Sequence, residues 1–298
     1  MRRCALLVAC LLALPVLAGD KNTPRPAAVQ KIEKPTREQI KTNTEQAQAM
    51  GKKAAAIAPK MHLIETAHFY LYSGFDEKAE DKLFAETAEG MFKVLCKQFD
   101  IDPKEGVWAG KCPIYAFDTV EQFVKFCKLA GQENLIKAGG FCAYDNAGMV
   151  FMVLNKAAGK TQFYDLMVHE GTHAFLARYL TNGNLPAWVN EGLAEFMCSV
   201  IVKDSHANGL WKSATKQVIN AKKDPSGVLK QVKLEAFDYG IAHSFVRFLI
   251  AKDAKTFGKF VVKLKEGTPE DDALKDLYKV DQTGFLRAWR GGVEKMLQ

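Results

Sequence analysis

The alternation of apolar and polar positions divides the chain into three stretches. Residues 20–60 carry Lys, Ala, Gln, Thr and Pro with almost no large apolar side chains. Such a stretch cannot bury enough surface to fold alone, so residues 19–60 read as a flexible linker with a loose helix over 38–56. Folded structure is expected from Met61 onward. HLIETAHFYLYSG (62–74) is alternating and aromatic, which predicts a strand. Helical spacing covers 77–99, a short strand 112–117, and a helix 119–129 with Phe123, Val124 and Cys127 on one side. GGFCAYDNAGMVFMVLN predicts a hairpin turning at 145–148.

From Gln162 the pattern becomes helical and stays so. One helix is expected over 162–180, broken by TNGNLP, and a second runs from Pro186 to Val202. Further helical stretches are 208–222, 239–251, 254–264, 271–277 and 282–296. The expectation is an α+β chain: a small mixed sheet lobe, then a mainly helical lobe, together forming one domain over 61–298.

The first residues, MRRCALLVACLLALPVLAGDK, change the picture at one end. A basic start, an apolar run and small residues near position 18 read as a signal peptide over 1–18, implying a secreted or periplasmic protein. Leu7-Val8-Ala9-Cys10 offers a lipoprotein alternative. It fits less well, because it would leave apolar residues at the mature terminus. No other stretch predicts a transmembrane segment. Removing Arg2 and Arg3 takes the net charge from +7 to 7 − 2 = +5. Lysines are scattered among carboxylates rather than gathered in a block, which argues against nucleic-acid binding. Cys4 and Cys10 leave with the signal. Cys96, Cys112, Cys127, Cys142 and Cys198 remain, none in a CxxC pair, so a cysteine-based zinc site is not expected.

The candidate chemistry lies in VHEGTHAF, 168–175. His169 and His173 are four apart, so a helix puts both imidazoles on one face. Glu170 beside them can reach a water on a shared ion, the mechanical content of H-E-x-x-H. The pattern arises by chance in roughly one random sequence in a hundred. A catalytic zinc needs a third protein ligand and an open position. The two same-segment positions hold Leu176 and Tyr179, which closes that route. Cys198 and His206 are distant options with nothing to single them out. The next helix, LPAWVNEGLAEFM, offers Glu191 after 17 intervening residues, and Glu195 one turn on. Carboxylates on so apolar a helix need a partner. A metal would serve, and so would a salt bridge. Glu195 could hold the far nitrogen of a ligand histidine.

HEGTH followed by WVNEGLAEF resembles the gluzincin metallopeptidases, and the LPAW-x-x-EGLAEF form is closer still to the peptidase MA-like domains of bacterial secreted proteins. The resemblance spans roughly 62–298 and is specific at the two motif helices. It implies a zincin-like fold, a bound Zn2+ held by His169, His173 and Glu191, Glu170 as general base, and a peptide or protein substrate. It also implies a helical tyrosine near the site, for which Tyr239 stands ready with His243 four residues on. Substrates in that clan lie along an exposed strand, here 139–144 or 149–154. No GxMEN-type segment is present, so the resemblance does not extend to an aminopeptidase's grip on a peptide terminus. The competing expectations are a catalytically silent zinc-binding or scaffold protein, and a structural domain braced by a metal or by nothing.

Overall fold

The computed structural model describes residues 29–144, 148–157 and 159–297. Residues 1–18, expected to be a signal peptide, with Cys4 and Cys10, and residues 145–147, where the hairpin was expected to turn, lie outside them. Five strands, β1 (His62–Glu65), β2 (Phe69–Ser73), β3 (Cys112–Phe117), β4 (Gly140–Tyr144) and β5 (Val150–Asn155), form one sheet in the order β1-β2-β3-β5-β4. β2, β3 and β5 run parallel, and β1 and β4 are antiparallel edge strands. Eleven α-helices complete the described chain: α1 (Arg37–Ile57), α2 (Lys78–Gln98), α3 (Val120–Leu129), α4 (Lys160–Arg178), α5 (Ala187–Ile201), α6 (His206–Asn220), α7 (Ser226–Lys230), α8 (Ala236–Lys252), α9 (Ala254–Lys265), α10 (Glu270–Tyr278) and α11 (Gln282–Met296). The architecture is α+β, a small mixed sheet joined to a mainly helical remainder.

Both faces of the sheet are covered, which is why β2 and β3 read as unbroken apolar runs. The pleat sorts their side chains. Cys112, Ile114 and Ala116 of β3 join Phe69, Leu71, Met152 and Leu154 in a core beneath α2, α4 and α5. Tyr115 and Phe117 point the other way, joining Tyr70, Tyr72, Phe141 and Val153 in a second core with α1 and α3.

That second core corrects the linker reading. α1 is a packed helix, opened by a Thr36–Gln39 capping box, with Ala47, Gly51 and Ala54 buried on one face. Its small residues let the sheet supply the bulk: Tyr72 and Tyr115 stack 4.9 Å apart. Both hydroxyls donate to the Ala47 carbonyl at 3.1 Å.

The single strand expected over 62–74 is two strands. Thr66 N–H donates to the Phe69 carbonyl at 3.0 Å, and Phe69 N–H to Thr66 Oγ at 3.1 Å, folding the chain back between β1 and β2. β5 is flanked by β3 and β4. It therefore has no free edge, which removes 149–154 as a strand for an added peptide and leaves β4. The helix expected over 239–251 begins at Ala236, and the short α7 was not anticipated.

The connection between α4 and α5 is pinned from outside. Ile32 N–H donates to the Leu180 carbonyl at 2.7 Å and Asn182 N–H to the Gln30 carbonyl at 3.0 Å. Lys265 Nζ, buried at the end of α9, donates to the Leu176 carbonyl at 2.9 Å. That carbonyl belongs to the last turn of α4, where intrahelical partners run out. No helix among the described residues is long and apolar enough to cross a membrane. The five cysteines among the described residues are buried free thiols.

Candidate metal centre

α4 carries the HEGTH segment through the middle of the molecule. Residues 163–164 and 167–176 are buried, so the helix is enclosed nearly all round and the polar residues within it stand out. Gly171 leaves room for the end of the Met91 side chain of α2, which a Cβ there would push aside. α5 crosses beside α4, and its Gly192 lets α8 approach so closely that a Cβ would meet the Ala242 carbonyl.

His169, Glu170, His173 and Glu191 are only 4%, 2%, 4% and 8% exposed. Four buried ionisable residues need partners. The two imidazole Nε2 atoms lie 3.0 Å apart. Glu191 Oε2 is 3.2 Å from His169 Nε2 and 3.3 Å from His173 Nε2. A tetrahedral ion with bonds of about 2.0–2.1 Å places its ligand atoms about 3.3 Å apart. The observed triangle has nearly that size, so the donor set fits, and these three residues could hold a metal ion. Burial pushes the Glu191 carboxyl up. The adjacent His173 and His169 imidazoles outweigh it and hold Glu191 well below the usual carboxylate range.

Glu195, one turn beyond Glu191, places Oε1 3.1 Å from His169 Nδ1. A proton held on Nδ1 by that carboxylate leaves the Nε2 lone pair facing the triangle. Glu170 reaches the sheet, where its Oε2 accepts the Cys142 N–H of β4 at 2.9 Å. The base candidate is thus tied to the free edge strand. Tyr239 of α8 comes to the cluster, its ring 6.2 Å from that of His169.

His243 does not join it. Its Nε2 meets Ser199 Oγ and Arg247 Nε, each at 3.3 Å, in a separate buried cluster. His206 is also elsewhere, its Nδ1 3.0 Å from Asp165 Oδ2 at the surface. The Cys198 thiol donates to the Asp165 carbonyl at 3.1 Å. Sequence reasoning missed Cys142. Its position two residues beyond Gly140 on an edge strand puts it on the α4 side, but only the sheet order shows that this strand faces Glu170. No protein-family model matches the chain, and no curated protein matches it at a significant level.

Proposed function

We propose that the chain is a secreted, zinc-dependent metallopeptidase of gluzincin type on a zincin-like fold, hydrolysing peptide bonds. The observation that carries this reading is the triangle of His169 Nε2, His173 Nε2 and Glu191 Oε2, with edges of 3.0, 3.2 and 3.3 Å. Those residues would hold the ion. When bound, zinc supplies Lewis acidity, lowering the pKa of a coordinated water to about 7 and polarising a carbonyl.

The chain's own residues do the rest. Glu170 takes a proton from the attacking water as its oxygen bonds to the peptide carbon, then gives that proton to the amine as the C–N bond breaks. Its hydrogen bond from Cys142 N–H holds one carboxylate oxygen in place. Glu195 keeps His169 in the tautomer that binds through Nε2. Tyr239 is the nearby donor for the oxyanion. An extended peptide would add to the open side of β4, whose Cys142 amide points away from β5 and toward Glu170.

The test combines metal analysis with cleavage of a peptide library. The wild type should carry about one zinc per chain and cleave. Glu170→Gln should keep the zinc and lose cleavage by at least about a hundredfold, the scale of a general base. Zinc-free protein, or unchanged cleavage by the variant, overturns the reading.

A further inference from the structure

Cys198 follows Glu195 by three residues and Glu191 by seven, so the three lie on one stripe of α5. They meet α4 in order. Glu191 reaches His173 and His169, and Glu195 reaches His169. The Cys198 thiol donates to the Asp165 carbonyl at 3.1 Å, one turn before His169. A helical side chain leans toward the turn on its N-terminal side, which brings the His169 ring back over Asp165. There the Cys198 sulfur accepts a hydrogen bond from that ring. The Nε2 atom of His169 is turned to His173 and Glu191, and the metal-capable group comprises those three residues without Cys198. The sulfur therefore meets the ring on its Nδ1 side, where Glu195 also stands at 3.1 Å.

The two acceptors differ in how firmly they are held. Glu195 reaches His169 on a stem with several torsions, and its side chain is 16% exposed. Cys198 turns about a single torsion and is 2% exposed. Its own proton ties it to the backbone of the helix that bears His169. Burial pushes the Cys198 thiol up to about 12, with the His169 hydrogen bond working against it, so the proton that makes this tie stays in place. Sulfur is a weak acceptor, but here a fixed one. The His169 ring cannot swing away from the triangle without leaving a contact that is anchored to Asp165.

We propose that Cys198 is a positioning residue for the metal centre: its sulfur shares the His169 Nδ1 proton with Glu195 and so keeps Nε2 aimed at the ion. The inference rests on zinc binding by His169, His173 and Glu191. It gives the sulfur no place among the ligands.

Chelator competition for zinc, read beside the Tm of the metal-free proteins, separates this role from plain packing. Cys198→Val keeps the bulk and removes both hydrogen bonds. It should weaken zinc binding about tenfold, the low end for a residue that orients a ligand histidine. Cys198→Ser keeps a donor and an acceptor, and should hold most of the wild-type affinity even where it lowers Tm. Unchanged affinity in Cys198→Val overturns the proposal. Equal losses in the valine and serine variants also overturn it and leave Cys198 a packing residue. If Cys198→Val does not fold, Cys198→Ala takes its place in the same comparison. Combining the substitution with Glu195→Ala should cost more than the two single losses together, because each acceptor covers for the other. Purely additive losses overturn the shared proton. A wild type that binds no zinc removes the metal reading of the whole site and this inference with it. Zinc bound equally well with and without the Cys198 thiol removes this inference alone.

Discussion

Glu195 lies one turn along α5 from Glu191 and acts on the other nitrogen of His169. If it fixes the tautomer, Glu195→Ala should weaken zinc binding about 10–100-fold in a chelator competition. Glu195→Gln, whose amide oxygen can still accept the Nδ1 proton, should recover part of that loss. Equal affinity in all three proteins would show that the 3.1 Å contact orients nothing. Gly192 gives a purely steric prediction. Gly192→Ala puts a methyl group against the Ala242 backbone carbonyl, which cannot rotate away. It should cost about 1–3 kcal/mol in urea unfolding. The spacing that brings His169, Glu170, His173, Glu191 and Glu195 together was legible because helices convert separations of three or four into shared faces. The same rule fails at His243. It shares the spacing with Tyr239, but one turn further along α8 the facing residue of α5 is Ser199, not a metal-ligating carboxylate. Which residue of a neighbouring helix lies opposite depends on the crossing of two elements, and local spacing does not contain it.

At the level of elements, the helix expected over 38–56 is α1, and what the sequence hid was its packing, for a physical reason. Burial there is carried by alanines against sheet tyrosines, so the helix shows no apolar stripe of its own. Ala54→Glu places a charge where Ala54 is fully buried. It should destabilise the whole folded chain by about 2–4 kcal/mol in urea unfolding, while the folded state's affinity for zinc at α4 and α5 stays unchanged. A titratable contact joins β1 to α2. His62 Nδ1 faces the Lys60 carbonyl at 3.1 Å and Nε2 faces Asp81 Oδ2 at 2.7 Å, so both nitrogens meet acceptors. The Lys60 carbonyl, offset by partial burial and helped by Asp81, raises the His62 pKa above its ordinary value. A pKa raised on folding adds stability that is complete below the ordinary histidine value and lost as pH rises through the folded one. Wild type should therefore outlast His62→Gln in Tm at pH 5.5, and the gap should close at mildly alkaline pH. A gap that widens with pH would reverse the assignment. Boundaries of β3, α3 and α9–α11 were read to within a residue or so, because strong turn and cap signals flank them. The break at Thr66 was not, because the pattern continues through a turn made by a side-chain hydrogen bond.

Across the whole molecule, one sheet serves two cores, and the metal-capable residues hang from helices on one side of it. α4 and α5 are joined by a connection held by Gln30, Ile32 and Lys265. An ion gripping His169 and His173 on α4 and Glu191 on α5 would thus tighten a joint that two distant segments already hold. An ion that binds the folded chain and not the unfolded one adds about 4 kcal/mol at a thousandfold excess over its dissociation constant. Chelation should therefore lower Tm by many degrees, and His173→Ala should lose the response. The sharper expectation concerns its reach. Trp108, Trp188 and Trp289 report on the helical side, and Tyr72 and Ala47 lie in the opposite core. β3 is buried on both faces and belongs to both cores, so neither layer can leave without exposing it. Zinc should protect α1 and β2 amides from hydrogen exchange by the same factor as it protects α4. Tryptophan fluorescence and far-ultraviolet circular dichroism should move to higher temperature together. Protection confined to α4 and α5, with α1 exchanging as before, would show that the sheet separates two folding units instead of joining them.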